Sequence, residues 1–132
     1  MTSDTDLQED QVNSAYAAWD TAFNAGDAKA LASLYTEDTL FLPATHDIIE
    51  GPAEVEKFFA GLFASGVPGH RLALVRTTSS DGDGNLVVAA ARWSAIAKNV
   101  GGGGDNALGG IATHVFERRS DGRLKLKLHT FN

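Results

Sequence analysis

The chain has 132 residues, 43% of them hydrophobic and 21% charged, and a formal net charge of −6. That is enough chain for one domain and no second core, it lies far from the composition of disordered proteins, and its acidic balance argues against binding phosphate backbones. The absence of cysteine excludes disulfides, thiol catalysis and zinc–cysteine sites.

The opening MTSDTDLQED is acidic and lacks the basic and apolar segments of a leader, and no apolar run approaches the ~20 residues of a membrane span. The expectation is a cytoplasmic protein with neither nucleic acid nor membrane as partner. Over residues 5 to 25, Val12, Tyr16, Trp19 and Phe23 recur at helical spacing, with Thr5 and Gln8 as a capping box and Gly26 as the residue past the end. Asp27 caps a second, shorter helix through Leu31, Leu34 and Tyr35. Asp38 is expected in the following turn as a structural carboxylate. Leu40-Phe41-Leu42 is a short strand stopped by Pro43, and Thr45-His46-Asp47 forms a polar loop before Ile48-Ile49. Gly51-Pro52 opens a third helix carrying Val55, Phe58, Phe59, Leu62 and Phe63 on one face.

From His70 onward the period becomes strand-like, in RLALVRTTS, LVVAAARWSAIAK, GGIATHVFERR and RLKLKLHTFN, with turn chemistry between. Gly101 to Gly104 is read as a flexible hairpin connection, since no phosphate-loop Lys-Ser/Thr follows it. Three helices followed by strands predict an α+β fold, with the helices packed on one face of a strongly curved, mainly antiparallel sheet.

The order of helix, AGD, short helix, LYTED, apolar strand, EGP and aromatic helix, closed by LKLHTFN, resembles the nuclear transport factor 2-like superfamily over nearly the whole chain. Within it, AAWDTAFNAGDAKALASLYTEDTLFLP looks most like the SnoaL-like and SgcJ/EcaC-like proteins. The resemblance implies a cone-shaped domain, an apolar pocket between helices and sheet, and commonly a homodimer through the outer sheet face. Ketosteroid isomerases of the superfamily place a base directly before a proline, where this chain has Leu42. Their oxyanion tyrosine falls near Trp19, and their protonated aspartate near Thr113-His114. Their base is thus missing, and Arg92 lacks the strand aspartates that limonene epoxide hydrolase sets around its arginine.

Histidine is the remaining base, because its ordinary pKa near 6.5 suits proton exchange at neutral pH. His46 and His114 are the catalytic candidates. A solvated loop accounts for His46 more simply, and strand alternation leaves open whether His114 or Thr113 faces the helices. On the last strand the apolar alternation of Leu124, Leu126 and Leu128 puts His129 on the outer, dimer side, and His70 reads as a strand-entry residue. Tyr16, Trp19, Phe23, Leu42, Phe58, Phe59, Leu62, Trp93 and Thr113 are the candidate pocket lining, although aromatic stripes at helical spacing also simply build cores. The four histidines show no metal-binding spacing, and neither metal nor organic cofactor is expected. The sequence therefore points to a small-molecule pocket protein, with cofactor-free isomerase, cyclase or dehydratase chemistry on an apolar polyketide- or steroid-like compound. The alternative is a non-catalytic ligand-binding or dimeric association module.

Overall fold

The computed structural model describes residues 4–66, 69–79, 85–97 and 106–132. Helix α1 (Asp4–Asn24), α2 (Ala28–Ala32), strands β1 (Tyr35–Leu42) and β2 (Ile49–Glu50), and helix α3 (Gly51–Ala64) precede β3 (Gly69–Ser79), β4 (Leu86–Ala97), β5 (Asn106–Arg118) and β6 (Leu124–Phe131). The six strands form one sheet in the order β2-β1-β6-β5-β4-β3, antiparallel except where β1 runs parallel to β6. This is the expected α+β architecture, with α1 against β3 and β6 and α3 against β1. Among the described residues no helix is long and apolar enough to cross a membrane.

The junction NAGD folds as its residues dictate. Gly26 takes a left-handed φ of 66°, which lets its N–H reach the Phe23 carbonyl while the Asp27 N–H reaches that of Ala22. The Asp27 carboxylate then accepts from the Ala30 N–H at 3.0 Å, so one residue finishes the first cap and starts the second. The Thr5–Gln8 capping box and the glycine run at 101–104 lie outside the described side chains and residues.

The second helix is shorter than the sequence suggests. It ends at Ala32, and Tyr35 already pairs with Leu126 in the sheet. Tyrosine and threonine favour the pleated backbone, and a helix of five residues has little to hold it against strand pairing. Asp38 accordingly lies inside β1 rather than in a turn, where it accepts from Thr36 Oγ1 and meets Lys127 Nζ at 2.6 Å on the exposed surface.

Cross-strand register fixes which side chains share a face. Phe41, His129, His114 and Ala89 are successive partners across β1, β6, β5 and β4, and all four are buried beneath the helices. The adjacent row of Leu40, Leu128, Val115 and Val88 points the other way. Just beyond the second row β6 carries a bulge. Val115 faces Leu128 but Phe116 faces Leu126, so Lys127 is the extra residue and the alternation changes phase there. His129 therefore points inward, contrary to strict alternation.

Candidate functional site

One face of α1 carries Tyr16, Trp19, Asp20, Phe23 and Asn24, spaced to project toward the sheet. Trp19 and Phe23 of this face, with Phe58, Phe59 and Leu62 of α3 and the inward-facing Trp93, Ala112, His129 and Phe131 of the sheet, enclose a cavity of about 240 Å³. Its walls are almost wholly apolar and aromatic, and its two ionisable side chains are His70 and His129. Ala44 and Thr45, from the loop between β1 and β2, also border it. A second cleft of about 490 Å³ runs along α1 toward the β5–β6 turn and is lined by Tyr16, Trp19 and His114 among others.

His70 opens β3, an edge strand held to α1 by side chains one helical turn apart. The Asn24 amide donates to the His70 carbonyl at 3.0 Å and accepts from its N–H at 2.8 Å. Asp20 takes the next positions: Oδ1 lies 2.8 Å from His70 Nδ1, and Oδ2 accepts from the Leu72 N–H at 2.8 Å. The carboxylate is thereby fixed at both oxygens, and the imidazole is held with its second nitrogen, Nε2, left for other partners. Its ring is nearly parallel to Trp93, at 6.0 Å and 5°. At 9% side-chain exposure for His70 and 18% for Asp20, this pair is largely withdrawn from bulk solvent, which strengthens a His–carboxylate contact.

Deeper in, Trp19 Nε1 donates to Tyr35 Oη at 3.0 Å, and Tyr35 Oη lies 2.9 Å from His129 Nδ1. Tyr16 Oη stands 2.9 Å from His114 Nδ1, and the two imidazoles are 4.4 Å apart between centroids. Burial holds His114 down to about 3, with the charge of His70 acting in the same direction. His129 is held well below its ordinary range by burial, then by His114 and His70. Burial raises both tyrosine hydroxyls. At neutral pH both inner histidines are therefore uncharged.

The candidates from sequence are distributed unevenly. Trp19, Phe23, Phe58, Phe59, Leu62 and Trp93 line the smaller cavity, while Tyr16 and His114 line the larger cleft. Leu42 and Thr113 line neither: both belong to the outward row that pairs with Thr130, because side chains on alternate strand positions face opposite ways. His46 sits exposed in the loop with φ of 69° and is not part of either wall, although its neighbours Ala44 and Thr45 are. His70 and His129 are the residues the sequence reading placed elsewhere. A carboxylate and an amide at positions 20 and 24, in step with Tyr16 on the buried side of α1, were the available signal for His70. Among the described residues no group of three His, Asp or Glu side chains converges as a metal site requires.

The sequence profile of the SnoaL-like domain matches residues 16–126. The chain belongs to the SnoaL-like domain family. This places it in the nuclear transport factor 2-like superfamily. Among solved structures, Aln2 from a Streptomyces species shares the fold with a TM-score of 0.80 at 15% identity, over 100% of this chain and 93% of that one. A ketosteroid isomerase-like protein from Erwinia carotovora atroseptica gives 0.75 at 15% identity, over 91% of each chain. A protein from Catenulispora acidiphila, in complex with S-DNPA, gives 0.76 at 18% identity, over 95% of this chain and 92% of that one. No curated protein sequence matches the chain.

Proposed function

We propose that this SnoaL-like protein is a cofactor-free acid–base enzyme acting on a flat, apolar, polyketide-like carbonyl compound, with His70 as general base and Asp20 as its positioning residue. The observation that carries this reading is the 2.8 Å contact of Asp20 with Nδ1 of His70, a histidine that lines an aromatic cavity. A carbon-bound proton next to a carbonyl would pass to His70 Nε2, the electron pair would move onto the carbonyl oxygen, and Asp20 would stabilise the imidazolium formed. Return of that proton to another carbon gives isomerisation; loss of a hydroxide equivalent as water gives dehydration; attack of the carbanion on a second carbonyl closes a ring. The cavity of about 240 Å³ is below the roughly 300–1,000 Å³ of drug-sized pockets, which suits about two or three fused rings better than a whole steroid.

Nitrobenzisoxazole tests the base without knowledge of the natural substrate. It is flat and apolar, and removal of its ring C–H proton breaks the N–O bond to give a coloured cyanophenolate. The wild type is expected to accelerate this opening, and His70→Ala to lower kcat/KM by about 10²-fold or more while circular dichroism is unchanged. Equal rates in the two proteins, or no acceleration by either, would remove the catalytic reading and favour the ligand-binding module.

A cytoplasmic homodimer completes the proposal, the location resting on the sequence alone. The outward row of Leu40, Leu128, Val115 and Val88, with Ile111 49% and Ile96 53% exposed, gives the sheet an apolar outer side larger than a solvated face needs. Sedimentation equilibrium at micromolar concentration is expected to return twice the chain mass; a monomer would count against the interface.

A further inference from the structure

We propose that Trp19 and Tyr35 lock His129 as an Nε2–H hydrogen-bond donor, and that this donor makes the cavity select ligands bearing a carbonyl or enolate oxygen. The inference deepens the reading of the cavity as a ligand site and rests on it. An indole N–H can only donate, so Trp19 occupies a lone pair of Tyr35 Oη at 3.0 Å. Tyr35 is 2% exposed, and among the described residues its hydroxyl has two side-chain partners, Trp19 and His129 Nδ1. If Nδ1 carried the proton and donated as well, the Tyr35 O–H proton would be buried without an acceptor, the costly arrangement for a polar group. The hydroxyl therefore donates to Nδ1, and the neutral ring keeps its proton on Nε2.

Three features aim this choice at a ligand. His129 lines the cavity, and among the described residues its ring is hydrogen-bonded through Nδ1 alone, which leaves Nε2 for an occupant. The other indole near the site, Trp93, spends its N–H on the Asn132 carbonyl at 2.9 Å, so it does not compete as a donor. Burial keeps His129 uncharged, so it offers a hydrogen bond rather than a proton. Trp19 stands between the two functional imidazoles, with its ring 4.8 Å from that of His70 and 5.9 Å from that of His129. A flat ligand lying along Trp19 would present a C–H to one histidine and its oxygen to the other. The oxygen gains charge as the carbon loses its proton, so the same donor strengthens during reaction.

Long-range proton–nitrogen correlation spectra of the wild-type protein test the tautomer directly. His129 is expected to show a pyridine-type Nδ1 and a pyrrole-type Nε2, and Tyr35→Phe to yield a mixture, because no hydroxyl then donates to Nδ1. Binding of α-tetralone against its hydrocarbon tetralin tests the selectivity. The affinity ratio is expected to fall about three- to tenfold in His129→Leu, the loss of one neutral hydrogen bond, and to fall also in Tyr35→Phe. His70→Ala should retain both the tautomer and the ratio while losing ring opening of nitrobenzisoxazole, so failure of the base and failure of the donor read out separately. A pyrrole-type Nδ1 in the wild type, a ratio unchanged in both His129→Leu and Tyr35→Phe, or no binding of either bicycle would overturn the inference.

Discussion

Acidification from pH 7 to pH 5 is expected to destabilise the folded protein by about 2 kcal/mol through His114 alone, with His129 adding in the same direction. The sign follows from where the protons bind. In the unfolded chain both imidazoles titrate near 6.5, whereas in the folded protein burial holds His114 at about 3 and His129 well below its usual range. As pH falls through 6.5 the unfolded state takes up protons that the native state refuses, so stability is present above that pH and lost below it. Each such histidine steepens the dependence by about 1.4 kcal/mol per pH unit. The groups facing the pair are Tyr16 on α1, Tyr35 on β1 and His70 on β3. Glu37 and Asp38 are held below their ordinary carboxyl values by hydrogen bonds from Arg119 and Lys127, and their contributions fade only below about pH 4.5, so the window from 5 to 6.5 isolates the histidines. Urea unfolding at pH 7, 6 and 5 measures the slope. His114→Gln keeps an amide for Tyr16 but cannot titrate, and should remove about one proton from the linkage. A wild-type stability flat across this range would mean that the inner histidines accept protons in the fold.

What the sequence disclosed follows from how local the cause was. The stripe of Val12, Tyr16, Trp19 and Phe23, the Gly26–Asp27 junction and the Gly51-Pro52 helix start are each decided within a few residues, and each formed where periodicity and capping put it. The functional pair was not local. Asp20 and His70 are 50 positions apart and meet because β3 docks on α1. His129 was misplaced by one backbone detail: the bulge at Lys127 reverses the alternation that Leu124 and Leu126 set up. Phe131 offered a hint, since an aromatic residue out of phase with those leucines needs burial of its own, and it packs on Phe41 at 5.9 Å. Tyr35 looked like the end of a helix and is instead the residue that joins Trp19 to His129, a role fixed by the pairing of the first long strand with the last.

That pairing buries Phe41 where β1, β6 and α3 meet. Its ring is fully buried, stacks on His129 at 4.8 Å and on Phe59 at 5.4 Å, and meets Phe58 edge-on at 5.2 Å. Phe41→Ala would remove the side chain on which the aromatic faces of α3, β1 and β6 converge, and chemical denaturation should report a loss of about 3–5 kcal/mol. Leu42, one residue on, faces outward in the row of Thr130 and Thr113 and is only half-buried in the single chain. Leu42→Ala should therefore leave unfolding at dilute, monomeric concentration nearly unchanged, yet weaken self-association in sedimentation if the outer face is the dimer interface. The contrast between neighbours is the sharper measurement, because both are large apolar residues of one strand and differ mainly in the face they occupy. Comparable losses for the two substitutions in the monomer would place Leu42 in the core and invalidate the register on which the inward course of His129 and His114 depends.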